Sequence, residues 1–194
     1  MRRLCVFCGS SPGRRPAFAE TARRLGGLLA ARGLGLVYGG GHVGLMGVLA
    51  DAVLGAGGEV IGVIPQALVD KELAYPGLTE LRVVATMHQR KALMADPADG
   101  FIALPGGFGT ADELFEILTW AQLGLHAKPI GVVNVGGYFD ALLAWLDHTV
   151  GERLVRPEHR RLLLEADDPE RLLDLVLHHR PPKERPKWIA DADR

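Results

Sequence analysis

Cysteine is scarce, two in 194 residues, which excludes a disulfide-stapled secreted scaffold. An excess of charge of either sign is lacking too. With 22 Lys and Arg against 23 Asp and Glu the formal net charge is −1, so no global basic field exists to hold nucleic acid or an anionic membrane. Long hydrophobic runs are also missing: each extends only a few residues, far short of the roughly 20 that a membrane helix needs. The first apolar run, residues 4–8, is too short for a signal-peptide core. Hydrophobic residues at 48% and charged residues at 23% are ordinary for a soluble folded chain, and the length fits one domain. These limits leave a cytoplasmic enzyme or nucleotide-binding domain as the expectation. The two cysteines stand as Cys5-Val6-Phe7-Cys8, the spacing of a redox pair. That chemistry needs a helix start, whereas here the pair lies in a strand-like run that sends positions three apart to opposite faces. Buried structural thiols are predicted.

What the chain does have is glycine, 25 in all, often where an apolar run gives way to a helical pattern. Residues 4–8 read as a first strand, with a turn over residues 9–13. Phe18, Ala22, Leu25, Leu28 and Leu29 recur at helical spacing up to a stop at Gly33. Further strands are predicted at 34–38, 59–64, 81–85, 100–104, 130–135 and 162–166. Helices are predicted at 45–54, 87–95, 110–124, 138–150 and 168–179. Residues 66–80 are polar, irregular and long for a connection, which makes them a candidate substrate loop. The strands are continuous apolar runs, as burial on both faces demands of a parallel sheet covered by helices. The expected architecture is a single Rossmann-like, doubly wound α/β domain over residues 1–180, with a mainly parallel sheet of about seven strands and helices on both faces. Ligands of such sheets bind at the carboxyl ends of the strands, where strand order reverses. Residues 181–194 read as a Pro-rich extended tail.

Two glycine motifs carry candidate chemistry. Gly39-Gly40-Gly41-His42-Val43-Gly44 satisfies the dinucleotide pattern G-x-G-x-x-G, but it follows the second strand, and the third ends in Pro65-Gln66 with no carboxylate for a ribose hydroxyl. Its glycines would instead let backbone amides approach a phosphate or sugar, or merely allow a tight turn. Pro105-Gly106-Gly107-Phe108-Gly109-Thr110-Ala111-Asp112-Glu113 joins a strand to a helix, where free amides and the helix dipole make an anion cradle. Thr110-x-x-Glu113 also fits a capping box, in which the carboxylate serves the helix alone. Three glycines are more freedom than a capped start requires, which favours a ligand site. Met87-His88-Gln89-Arg90-Lys91 opens a helix just past a strand end, where Arg90 could grip a phosphate bidentately. No histidine has metal-ligand spacing with Cys or carboxylates, and Ser10 and Ser11 lack a nucleophile-elbow context. Neither a metal nor a cofactor is expected.

Taken together, the segment from Val37 to Gly47, the Met87–Lys91 segment and the Pro105–Glu113 segment resemble the Lonely Guy family, the cytokinin-activating phosphoribohydrolases often labelled lysine decarboxylases. The likeness runs from Cys8-Gly9-Ser10-Ser11 through Thr119-Trp120-Ala121-Gln122-Leu123-Gly124 to about Val150. It implies a homodimeric hydrolase that cleaves the N-glycosidic bond of adenosine-type 5′-monophosphates, giving a free base and ribose 5-phosphate. Arg90 and Glu113 match the family's catalytic pair. Glu72, Arg90, Lys91, Gly107, Phe108, Gly109, Thr110, Ala111, Asp112, Glu113 and Thr119 match its substrate-contact positions, although Thr119 lies well along the helix and off Glu113's face. Ser10, Gly40, Gly41 and Met87 are further candidates for phosphate or sugar contacts. Cleaving an N-glycosidic bond builds positive charge on the sugar, so a fixed carboxylate stabilises what develops.

Other functions fit the same fold, since fold does not fix function. A non-catalytic module binding a nucleotide or a phosphorylated pterin cofactor would use the same cradles. NAD(P) redox lacks its acidic residue. Pyridoxal-phosphate decarboxylation would need Lys91 as Schiff base, with no aspartate partner marked.

Overall fold

In β1 (Arg3–Phe7), Leu4 and Val6 join one apolar cluster while Cys5 and Phe7 join another. That alternation, with both faces apolar, forces cover on each side of the sheet. The same holds for β2 (Gly35–Tyr38), β3 (Val60–Pro65), β5 (Gly100–Ala103) and β6 (Ile130–Val133), all of them buried throughout. The outer strands are β4 (Glu80–Val84) and β7 (Leu163–Ala166), which carry exposed positions. On β4 the ion pair between Glu80 and Arg82, 2.8 Å apart, places charge on an open edge, which discourages further strand pairing. The computed structural model describes residues 1–71 and 73–180. Glu72 and the predicted tail at 181–194 lie outside the described residues.

All seven strands are parallel, in the order β4-β3-β2-β1-β5-β6-β7. Strand order therefore reverses between β1 and β5. One face is covered by α1 (Pro16–Ala31), α2 (Gly44–Gly55) and α8 (Pro169–Leu177), which bury Leu25, Leu29, Leu49, Val53, Leu172 and Val176. The other is covered by α4 (Met87–Ala95), α5 (Phe108–Leu123) and α6 (Asp140–Gly151), through Met94, Leu114, Ile117, Leu143 and Leu146. Each such side chain contributes about 1.5–3 kcal/mol by leaving water. Together they anchor the strand ends whose turns form the site.

Cys5 and Cys8 are free, buried and divided between the two clusters, as predicted. Burial pushes both thiols well above their usual range. Four expectations need correction. Helix α5 begins at Phe108, not Thr110. The 66–80 loop opens with the one-turn helix α3 (Gln66–Val69), and α7 (Pro157–Arg160) occupies a connection where no helix was predicted. Strand β6 stops at Val133, before a 3-10 turn at Val135–Gly137.

Candidate active site

The turns after β1 and β5 meet at the reversal of strand order. Gly9 N–H donates to Pro105 O at 3.0 Å, and Leu45 N–H to Gly9 O at 3.0 Å. The approach at Gly106 is too close for any side chain, since a Cβ there would lie 2.1 Å from Thr110 Oγ1 and 2.9 Å from Gly9 N. Above these turns opens a cavity of about 310 Å³ whose walls include Ser10, Phe18, Leu45, Gly107 and Tyr138. Tyr138 stands edge-on to Phe18, and its hydroxyl donates to Gly106 O. This is the crevice in which doubly wound sheets take their ligands.

Helix α5 starts at the lip of the crevice. Its N-cap is Gly107, with no side-chain cap, and the ladder begins with Ala111 N–H donating to Gly107 O at 3.1 Å. The N–H groups of Phe108, Gly109 and Thr110 precede that first bond, so they face outward at the positive end of a 16-residue helix dipole. A Cβ at Gly107 or Gly109 would meet nothing within 4 Å, so protein packing does not account for their bareness. Phe108 is 96% exposed. Thr110 lies inside the first turn and is no N-cap, so the capping-box reading of Thr110 and Glu113 fails and Glu113 is free for other work.

Glu113 is buried on the same helix and faces Arg90 of α4, with Arg90 Nη1 3.3 Å from Glu113 Oε1 and the two side chains only 11% and 9% exposed. Two further contacts fix the guanidinium. Arg90 Nε donates to Val63 O at 3.0 Å, and Nη2 to Gly39 O at 3.4 Å. The guanidinium can stand here only because Gly39 has no side chain, since a Cβ there would sit 2.0 Å from Arg90 Nη2. Helix α4 is itself held at its start: Thr86 Oγ1 accepts from Gln89 N–H at 3.2 Å, and Gln89 Oε1 accepts from Ala85 N–H at 3.0 Å. This is close to a capping box, with the return bond made one residue before the N-cap. The T-x-x-Q signal at 86–89 was legible in sequence and was missed there.

Burial pushes the Glu113 carboxyl up to about 7; Arg90 and Lys91 pull it down, and Asp112 and Glu116 add to the rise. A buried carboxyl that titrates near neutrality is a candidate for proton transfer. Lys91 lies against α5, with Nζ 3.1 Å from Asp112 Oδ2 and 3.0 Å from Glu116 Oε1. Burial alone would lower its ammonium's pKa; the bonds to Glu116 and Asp112 win and hold it above the usual range.

The other predicted residues divide. Ser10 lines the cavity, and Met87, half exposed, is the first residue of α4. Gly40 and Gly41 are buried, and their carbonyls accept from Tyr75 N–H at 3.0 Å and Tyr38 OH at 3.2 Å. Through this turn the 66–80 loop is strapped down. His42 N–H donates to Leu73 O at 3.1 Å, and Gly41 bridges Ala74. The strap brings the loop over the same end of the sheet as Arg90. Thr119 is not brought to the pair; it is exposed, and its hydroxyl donates to Phe115 O at 2.7 Å. Among the described residues no group of three or more His, Cys, Asp and Glu could hold a metal, and no helix is long and apolar enough to cross a membrane.

A doubly wound parallel sheet with a bare helix start and a buried carboxylate–guanidinium pair at its strand ends defines a Rossmann-like protein. Comparison with known proteins narrows that class. A family model described as "Possible lysine decarboxylase" matches residues 46–176. A probable cytokinin riboside 5′-monophosphate phosphoribohydrolase of Oryza sativa subsp. japonica is 51% identical, over 93% of this chain and 74% of its own. A cytokinin riboside 5′-monophosphate phosphoribohydrolase of Arabidopsis thaliana is 48% identical, over 93% and 83%. The chain belongs to this family, the Lonely Guy family. Among solved structures, the molybdenum cofactor binding protein of Rippkaea orientalis matches with a TM-score of 0.70 at 21% identity, over 91% of this chain and 96% of its own. At that identity the likeness is one of fold alone.

Proposed function

We propose that the chain is a phosphoribohydrolase that cleaves the N-glycosidic bond of cytokinin riboside 5′-monophosphates, AMP or both, releasing the free base and ribose 5-phosphate. The observation that carries this reading is the buried Arg90–Glu113 pair, 3.3 Å apart, beside the open start of α5. In this reading the 5′-phosphate sits on the free amides of Phe108, Gly109 and Thr110, near Ser10. Its binding energy holds the anomeric carbon over Glu113. Glu113 takes a proton from water as the water oxygen bonds to that carbon. The C–N bond breaks with its electron pair going to the base nitrogen, which is protonated in turn. The carboxylate also faces the positive charge that builds on the sugar. Arg90 holds Glu113 and the ribose in register. Family membership supports this chemistry, and the 48–51% identity of the two relatives supports the substrate class. We further read the chain as a cytoplasmic homodimer, to be checked by light scattering on the eluted protein.

The test is incubation of the purified protein with AMP and, separately, with isopentenyl-AMP, followed by chromatography of the products. Free base and ribose 5-phosphate are expected from at least one, lost in Glu113→Gln and crippled in Arg90→Ala. Bound but intact nucleotide in both reactions would replace this reading with a non-catalytic nucleotide-binding module. Near-native kinetics in Arg90→Ala would remove the role assigned to that residue.

A further inference from the structure

Resting on the hydrolase reading above, we propose that the Lys91 side chain is a positioning residue for Glu113. Clamped between Asp112 and Glu116, its ammonium holds α4 against α5 and neutralises the two carboxylates that flank the working one. Three observations carry this. The Lys91 side chain is only 12% exposed, and its Nζ lies 3.1 Å from Asp112 Oδ2, 3.4 Å from Asp112 Oδ1 and 3.0 Å from Glu116 Oε1. Two carboxylates thus take up the hydrogens of a group that has only three, and a phosphate would have to displace one of them. Second, Asp112 and Glu116 are four apart on one helix, so they stack on one face with Glu113 on the turn between them. Third, Lys91 borders a narrow gap together with Phe7, Glu113 and Glu116, which places it beside Glu113.

The charges around Glu113 can be counted from each element packed on it. Helix α4 supplies Arg90 and Lys91. Its own helix supplies Asp112 and Glu116. Strand β1 and the turn after it supply only the buried, protonated thiols of Cys5 and Cys8. Two cations therefore face three carboxylates. Without Lys91 a single guanidinium faces all three, and ionising Glu113 becomes harder. Arg90 and Lys91 are adjacent on one helix, so the clamp that balances charge also sets where Arg90 meets Glu113.

The test is the pH dependence of kcat, which reports groups in the enzyme–substrate complex, for Lys91→Met, Lys91→Arg and Asp112→Asn, using whichever of AMP and isopentenyl-AMP the wild type cleaves. In Lys91→Met the ascending limb should move to higher pH. A move of about one unit from neutrality lowers kcat at pH 7 about fivefold, with KM changed by less. Lys91→Arg should restore the limb. Asp112→Asn removes an acidic neighbour and should move the limb the opposite way, so the proposal remains testable even if Lys91→Met does not fold. A large rise in KM with the limb in place would make Lys91 a substrate ligand and overturn the proposal. An equal loss of kcat at every pH would reduce Lys91 to a structural clamp and overturn it as well. A wild type without turnover would overturn the hydrolase reading, not the clamp. The pH dependence of unfolding in Lys91→Met, with and without Glu113→Gln, then reads Glu113 with no substrate present. A steeper loss of stability with rising pH in Lys91→Met is expected, and an unchanged slope would refute the clamp's electrostatic role.

Discussion

Replacing Glu113 by Gln should alter stability in a pH-dependent way that no substrate influences. Burial holds the folded carboxyl at about 7, against 4.5 for the ordinary group. The folded state therefore binds this proton more tightly than the unfolded chain does. The stability linked to it is fully present below about pH 4.5 and is lost as pH rises through about 7. At 1.36 kcal/mol per unit the loss amounts to about 3 kcal/mol by pH 8. Gln has no proton to give up, so the variant is spared it, and its amide keeps the shape of the carboxyl beside Arg90. Urea unfolding at one fixed protein concentration should show the two proteins within about 1 kcal/mol of each other near pH 5. By pH 8 the variant should have gained about 2–3 kcal/mol on the wild type. Parallel stability curves across that range would show that Glu113 titrates normally. In that case burial would not have poised it for proton transfer, and the general-base role would lose its physical ground.

Three further changes probe the supports of the pair. Gly39→Ala should fold, because the clash is with the movable tip of Arg90, 2.0 Å from the new Cβ; yet kcat/KM should fall about 100-fold as the guanidinium is displaced, and retained turnover with an unchanged urea midpoint would contradict the placement of Arg90. Tyr138→Phe removes the hydroxyl that donates to Gly106 O; loss of about 1 kcal/mol of order in the cradle should weaken competitive inhibition by ribose 5-phosphate about fivefold while kcat changes little, and an unchanged inhibition constant would show that the bond does not shape the phosphate site. Thr86→Ala removes the cap of α4 and should cost about 1 kcal/mol in urea unfolding, with Thr86→Ser restoring it; an undiminished midpoint would mean that Gln89 alone holds the helix start.

The sheet was readable because each central strand had to be apolar on both faces. Leu4, Val6 and Cys8 face one helical layer while Cys5 and Phe7 face the other, which fits a parallel sheet covered on both sides and denies the cysteines a redox role. The site was readable only in part, for two physical reasons. A glycine N-cap leaves no side-chain signal, so the T-x-x-E spacing at Thr110 placed the helix start two residues late and made Glu113 resemble a capping group. The triple glycine after β2 pointed to backbone amides held open for a ligand. In the structure the space a Gly39 side chain would fill belongs to Arg90, 51 residues further along the chain, and the Gly40 carbonyl and the His42 amide tie down the loop. No local spacing contains that contact. It arises from strand order: β3 lies beside β2, so Val63 and Gly39 end side by side and α4 can lay one guanidinium across both carbonyls. The motif and the arginine are thus two halves of one arrangement, and a change at either should disturb Glu113 by the same route.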